Sequence, residues 1–139
     1  MVPTIKFREM TLQENIDIIK WAFYEQNGSL SVHDFTVGYF TELSVFDNNT
    51  PQEEVYKKIE EVVTKEYNKY LDKIKSETKR YNDIWKKYNN KYFSMLSNYF
   101  EIEWPNIDVI EGTVGLIPVF PRYLDKFSFS ISTGVEEWK

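Results

Sequence analysis

Apolar residues recur three or four positions apart over most of the first 100 residues, a spacing that predicts amphipathic helices. The first helix is expected to begin at Thr11, where the Thr11 hydroxyl and the Glu14 carboxylate form a capping box. Asn27-Gly28 is a typical end signal for it. A shorter helix is predicted from Ser31 to about Phe40. The opening half of the chain is therefore predicted to be helical.

The longest periodic stretch begins at Thr50–Glu53, which combines an N-cap Thr, Pro at the first helical position and Glu at the third. Gln52–Trp104 contains neither Gly nor Pro, and its apolar stripe is rich in Tyr. One straight helix would be roughly 70 Å long, whereas a compact chain of this size has a radius of gyration of about 14 Å. Either this helix projects from the body of the protein or it breaks. We expect a break near Asn89, with a second helix ending at Phe100.

Strand-like patterns are found at both ends of the sequence. Ile5–Phe7 is predicted as a short strand, and residues 107–119 are strand-like but interrupted by glycines. Residues 127–132 alternate strictly between apolar residues and Ser, as in a strand with one buried face. The last two runs are predicted to form an antiparallel hairpin around residues 121–126.

The predicted fold class is α+β: mostly helical, with one long Tyr-rich helix and a small C-terminal antiparallel β-hairpin. A length of 139 residues suits one domain, with a helical part over about 11–100 and a hairpin part over about 105–133. The absence of Cys excludes disulfides and thiolate metal sites and favours a cytoplasmic protein. No segment resembles a signal peptide or a membrane span.

The charge distribution favours neither nucleic acid nor membrane as a partner. The net charge is −5, although the basic residues cluster between Lys57 and Lys91. Within residues 53–91, eleven Lys or Arg and eight Asp or Glu nearly cancel, so we interpret this stretch as a solvated helix face; a polyanion site is the alternative. Four carboxylate–lysine pairs are expected at i,i+4 spacing: Glu53/Lys57, Glu54/Lys58, Glu61/Lys65 and Asp83/Lys87.

Candidate catalytic residues are few. His33, the only histidine, stands beside Asp34, and a lone His is more often a capping or surface residue than half of a dyad. Ser128, Ser130 and Ser132 share one strand face, which we interpret as polar and exposed. A serine nucleophile needs a base within hydrogen-bond distance, and the sequence does not show one. We therefore assign no catalytic residue and no metal ligand in this chain.

Residues 115–131, GLIPVFPRYLDKFSFSI, resemble a segment of small uncharacterised bacterial proteins that look like zinc metallopeptidases. The opening IKFREMT and the run IIKWA are similar to them too. In such proteins the segment that follows the hairpin is a helix with the motif H-E-x-x-H, in which two His bind zinc and the Glu activates the bound water. Residues 1–139 lack that motif.

The resemblance implies that this chain is the N-terminal, non-catalytic portion of such a protein and is inactive by itself. Zinc is expected only where a downstream H-E-x-x-H helix exists. The resemblance also implies an edge strand that binds a peptide or protein partner by strand addition. The residues expected to form that strand are Phe127, Ser128, Phe129, Ser130 and Ile131. The alternative is a stand-alone protein-interaction module. Apolar surface left uncovered by a missing catalytic helix would favour a homo-oligomer, whereas a stand-alone module is expected to be monodisperse.

Overall fold

The computed structural model describes residues 2–26, 31–101, 103–104, 106–116, 122–123 and 128–132. Three α-helices, one short 3₁₀ helix and four strands make up this part of the chain. In chain order they are β1 (Thr4–Glu9), α1 (Leu12–Phe23), α2 (Val32–Tyr39), a 3₁₀ helix (Thr41–Val45), α3 (Gln52–Phe100), β2 (Val109–Gly115), β3 (Arg122–Tyr123) and β4 (Ser128–Ser132). The expected α+β class with a dominant helical part is confirmed.

The local start signals of the first two helices are confirmed. Thr11 and Glu14 form the predicted capping box, and the Ser31 side chain accepts a hydrogen bond from the amide of Asp34. α1 ends at Phe23, four residues before Asn27-Gly28, and that dipeptide lies outside the described residues.

The predicted N-cap of α3, Thr50, is wrong by one residue. Pro51 occupies the N-cap and makes no side-chain capping bond. The Thr50 hydroxyl instead accepts a hydrogen bond from the Asp47 amide at 3.1 Å. Thr50 thus closes the turn that precedes the helix, because its hydroxyl bonds to nearby backbone.

α3 is a single helix of 49 residues, so the predicted break near Asn89 is wrong. A helix this long is accommodated because its two halves pack on different elements. The first half contributes Val55, Ile59, Val63 and Ile74 to the core that it shares with α1 and the residues around the 3₁₀ helix. The second half runs along the sheet, where Phe93 is 3 % exposed. One helix therefore supports both the helical part of the chain and the sheet.

Two asparagines of α3, seven residues apart, bind the outer edge of β1. The Asn89 side chain accepts a hydrogen bond from the Ile5 amide at 2.9 Å and donates one to the Pro3 carbonyl at 2.8 Å. The Asn82 side chain accepts from the Phe7 amide at 2.8 Å and donates to the Phe7 carbonyl at 2.9 Å. Each carboxamide offers the donor and acceptor that a neighbouring strand would supply, so the two amides and two carbonyls that they bind are bonded without another strand.

The sheet has the strand order β1-β2-β4-β3, and β2 pairs in parallel with both β1 and β4. The predicted antiparallel hairpin of residues 107–119 with 127–132 is therefore wrong. β4 does have an antiparallel neighbour, but that neighbour is β3, which lies in the segment predicted as the hairpin turn. About a dozen residues separate β2 from β4, which is the length that a parallel connection requires.

Gly112 of β2 lies between two phenylalanines on the face of the sheet that packs on α3. The rings of Phe7 and Phe129 meet edge to face, with centroids 5.8 Å apart, and Phe7 also contacts Tyr81 of α3. A Cβ added at Gly112 would stand 2.6 Å from the Phe7 ring and 3.0 Å from that of Phe129. The absence of a side chain at Gly112 thus lets the two rings close over the strand.

Replacement of Asn89 by Ala should destabilise the protein by about 2 kcal/mol, because it leaves the Ile5 amide and the Pro3 carbonyl without their partner. Urea unfolding followed by circular dichroism measures the change. Asn98→Ala, at an exposed position of the same helix, is the matched control and should change stability little. Equal unfolding midpoints for the two variants would contradict the proposed capping of β1.

Two glycine-to-alanine substitutions should have opposite effects on stability. Gly112→Ala should cost about 1–3 kcal/mol, because the new methyl group collides with packed rings. Gly38→Ala lies in α2, where an added Cβ meets nothing within 4 Å, and should stabilise by up to about 1 kcal/mol through helix propensity. Thermal unfolding of both variants checks the prediction, which fails if Gly112→Ala is as stable as the parent.

Candidate functional site

Arg8 of β1 is held by two carboxylates on the face of the sheet opposite α3. Its guanidinium donates to both carboxylate oxygens of Glu14 in α1, at 2.7 and 2.8 Å. Its Nε lies 3.1 Å from Glu111 of β2. This bidentate arrangement fixes the orientation of the guanidinium as well as its position. Arg8 thereby connects β1, β2 and the first turn of α1.

Glu14 combines the capping of α1 with the binding of Arg8. Its Oε1 accepts a hydrogen bond from the Thr11 amide at 3.0 Å as well as from Arg8. The hydrogen bond from Arg8 is the largest cause that lowers the pKa of Glu14 from 4.5 to about 2. The pKa of Arg8 is raised, chiefly by the same hydrogen bond. Glu14 therefore stays ionised in the folded protein at pH values well below the usual pKa of a glutamate.

Two buried hydroxyls lie beside this ion pair. Thr113 of β2 and Ser130 of β4 are register partners, and their hydroxyl oxygens are 2.7 Å apart. They are 8 % and 7 % exposed. The interpretation of the serine face as exposed is thus wrong for Ser130, because the parallel pairing with β2 places it against Thr113.

A cavity of about 320 Å³ opens between this face of the sheet and α1. Basic, acidic and hydroxyl groups converge on it, with an apolar wall from Met10 and Ile18. The remaining lining residues are Arg8, Glu14, Asp17, Glu111, Thr113, Ser128, Phe129 and Ser130. Such a mixed lining suits the binding of a small polar group.

Nucleophilic catalysis is not supported at this cavity by the residues that the structure describes. A serine nucleophile requires a base within reach, but Ser130 pairs with the hydroxyl of Thr113. His33 lies elsewhere: its Nδ1 contacts the Phe23 carbonyl at the end of α1, and its ring packs edge to face on that of Phe23 at 4.9 Å. The only histidine of the sequence therefore contacts the carboxyl end of α1, in keeping with its interpretation as a capping residue.

The residues expected to form a substrate-binding edge strand are found in β4, except Phe127, which lies outside the described residues. β4 is not at the edge of the sheet: β2 pairs with one side, and β3 pairs with Ser128 and Phe129 on the other. Ser128 and Ser130 line the cavity, Phe129 also packs on Phe7, and Ile131 pairs with Val114. The strand thus contributes to the cavity through its side chains.

Arg8, Asp17, Glu111 and Thr113 were not predicted as site residues, and Glu14 was predicted only as a cap. Arg8 and Glu14 flank the strand-to-helix junction, six positions apart, and opposite charges at that place were an available signal. Glu111 and Thr113 gave no such signal, because their place beside Arg8 depends on the parallel pairing of β1 with β2.

Within the described ranges, no group of three or more His, Cys, Asp or Glu is arranged to hold a metal ion. No helix in those ranges is both long enough and apolar enough to cross a membrane. No protein-family model, no curated protein and no solved structure matches this chain.

Acid should weaken the contribution of Glu14 to stability. Because its pKa is lower in the folded than in the unfolded state, the stabilisation is complete above pH 4.5 and is lost as the pH falls toward 2. Since both partners are partly exposed, we expect about 1 kcal/mol. Glu14→Gln should therefore destabilise at pH 7 and much less at pH 2, as measured by urea unfolding.

Asp17→Asn is the matched control for this prediction. Asp17 lines the same cavity and accepts a hydrogen bond from Gln13 at 2.8 Å, but no ion pair to it is found among the described residues. Its substitution should change stability little at either pH. If Glu14→Gln lowers the free energy of unfolding by the same amount at pH 2 as at pH 7, the role assigned to the Arg8–Glu14 pair is contradicted.

Proposed function

We propose that this chain is the non-catalytic scaffold of a zinc-metallopeptidase-like protein and is inactive by itself. In this proposal it supplies a sheet backed by a long helix, and the H-E-x-x-H helix of the family would come from sequence beyond residue 139. The chain's own residues would hold no zinc. Its part in the reaction would be to position an extended peptide near the metal.

The supporting observation is the fold of the segment that carries the resemblance. Residues 115–131 include β3 and most of β4, which pair antiparallel at one end of an otherwise parallel sheet. The two-residue β3 is the outermost strand described at that end. A peptide can extend a sheet at such a position through main-chain hydrogen bonds, with side-chain pockets providing specificity. The cavity beside Ser128 and Ser130 is a suitable pocket for a polar side chain.

A stand-alone protein-interaction module is the second candidate. It is favoured by the row of exposed aromatic and aliphatic side chains on the second half of α3, where Met95 is 61 % and Tyr99 81 % exposed. Large apolar side chains that line up on a surface are typical of binding sites. This function requires neither zinc nor a downstream helix.

The reading frame after Lys139 and the zinc content of the protein test the scaffold proposal together. We expect the frame to continue into a helix with H-E-x-x-H, and the longer product to bind about one zinc per chain and cleave peptides. Residues 1–139 alone, dialysed against zinc and then against buffer, should retain far less than one zinc per chain. Atomic absorption gives the zinc content, and a fluorogenic peptide library gives the activity.

Two results would contradict the scaffold proposal. A stop codon directly after Lys139 would leave no catalytic helix for this scaffold and would favour the interaction module. Stoichiometric zinc or peptidase activity in residues 1–139 alone would show that the chain has a metal site of its own.

A further inference from the structure

Five large side chains form a continuous exposed stripe on the second half of α3. Their relative exposures lie between 40 % for Ile84 and 81 % for Tyr99. They follow one another at intervals of four, four, three and four residues, which keeps them on one helix face over about 22 Å. The members of this aromatic stripe are Ile84, Tyr88, Tyr92, Met95 and Tyr99.

The stripe cannot be buried by rotation of the helix. A neighbouring face of α3 is fixed to β1 by Asn82 and Asn89, and Phe93 is buried on that side. The interval pattern of the stripe is that of a helix seam, in which apolar residues repeat every 3.5 residues and meet a second helix. The geometry therefore suits a helical partner better than an extended peptide.

Positive charge follows one edge of the stripe. Arg80, Lys87 and Lys91 lie at intervals of seven and four residues and so project beside it. Residues 79–100 contain five basic residues and one acidic residue, a net charge of +4 in a chain whose net charge is −5. A surface depression of about 430 Å³ has Ile84 and Tyr88 in its lining, together with Arg80 and Lys87.

Much of this positive charge is not neutralised within the chain. The expected Asp83/Lys87 pair is not formed, because Asp83 binds Lys79 at 2.8 Å. The Lys87 ammonium group instead lies over the ring of Tyr88, 5.2 Å from its centroid. In the portion of the chain that is described, no carboxylate pairs with Lys87 or Lys91, whereas Arg80 is paired with Glu77 at 2.6 Å.

We propose that the aromatic stripe is a docking surface for an amphipathic helix of a partner protein whose apolar seam is bordered by Glu or Asp. The partner's apolar residues would pack on the tyrosines, and its carboxylates would face Lys87 and Lys91. Charge complementarity of this kind sets the register and orientation of paired helices. The inference is independent of the zinc-metallopeptidase proposal.

A second copy of this chain fits the same face poorly. In an antiparallel pair, the two Lys87–Lys91 edges would lie against each other and repel. In a parallel pair, the basic edge of one copy would face the side of the other helix that is already packed on its own sheet. An acidic partner avoids the repulsion and supplies the charge that the described residues do not.

Two synthetic helical peptides test the proposal. Both carry the same leucine seam; one has Glu along the seam edges and the other has Lys. Fluorescence anisotropy with the full 139-residue chain should give at least about tenfold tighter binding of the Glu peptide, and this preference should shrink as salt is raised. The double variant Lys87→Glu/Lys91→Glu should reverse the preference.

The control variant Lys65→Glu/Lys69→Glu changes two exposed lysines at the same spacing on the same helix, away from the stripe, and should keep the preference for the Glu peptide. Tyr92→Glu should abolish binding while leaving the circular dichroism spectrum unchanged. Equal binding of the two peptides, or no binding, would overturn the proposal. The proposal would also be overturned by a dimer that Tyr92→Glu dissociates, or by binding that is confined to single-stranded RNA or to anionic vesicles.

Discussion

The pairing of two side-chain amides with the edge of β1 is the constraint on which the second half of the structure depends. Asn82 and Asn89 together make four hydrogen bonds to the edge of β1 that would otherwise be open to a further strand. Because the two residues are one heptad apart, they fix the direction, the height and the rotation of α3 against the sheet. The rotation in turn decides that Phe93 is buried while Tyr88, Tyr92 and Tyr99 face outward.

The local elements could be predicted from the sequence, because each depends on residues close together in the chain. The capping box of Thr11 and Glu14 and the N-cap at Ser31 are examples. The break at Asn89 was a wrong prediction for the opposite reason. Asn favours turns in isolation, but the amide group of Asn89 is satisfied by Ile5, which is 84 residues away in sequence. No local pattern could reveal that contact.

The candidate site could be predicted only in part, because strand pairing decides which side chains meet. The alternation of Phe and Ser in β4 correctly indicates two different faces. It does not indicate that Thr113 covers Ser130, since that depends on β2 and β4 running parallel. Likewise, the cap residue Glu14 gains its second role only because β1 and α1 meet at a corner that brings the Arg8 guanidinium to 2.7 Å from the Glu14 carboxylate. The polar cavity is thus a product of tertiary structure.

The pairing of β1 with β2 also sets the order in which the molecule can assemble. Thr4 pairs with Val109, and more than one hundred residues separate these two paired positions along the chain. At ribosomal rates the synthesis of these residues takes about 5–20 seconds, during which β1 has no strand beside it. α3 is made within that interval, and helices form far faster than distant strands find each other. Asn82 and Asn89 can therefore bind one edge of the nascent strand before the sheet exists. A strand edge that is already hydrogen-bonded is less able to pair with another chain, so the long helix also limits aggregation.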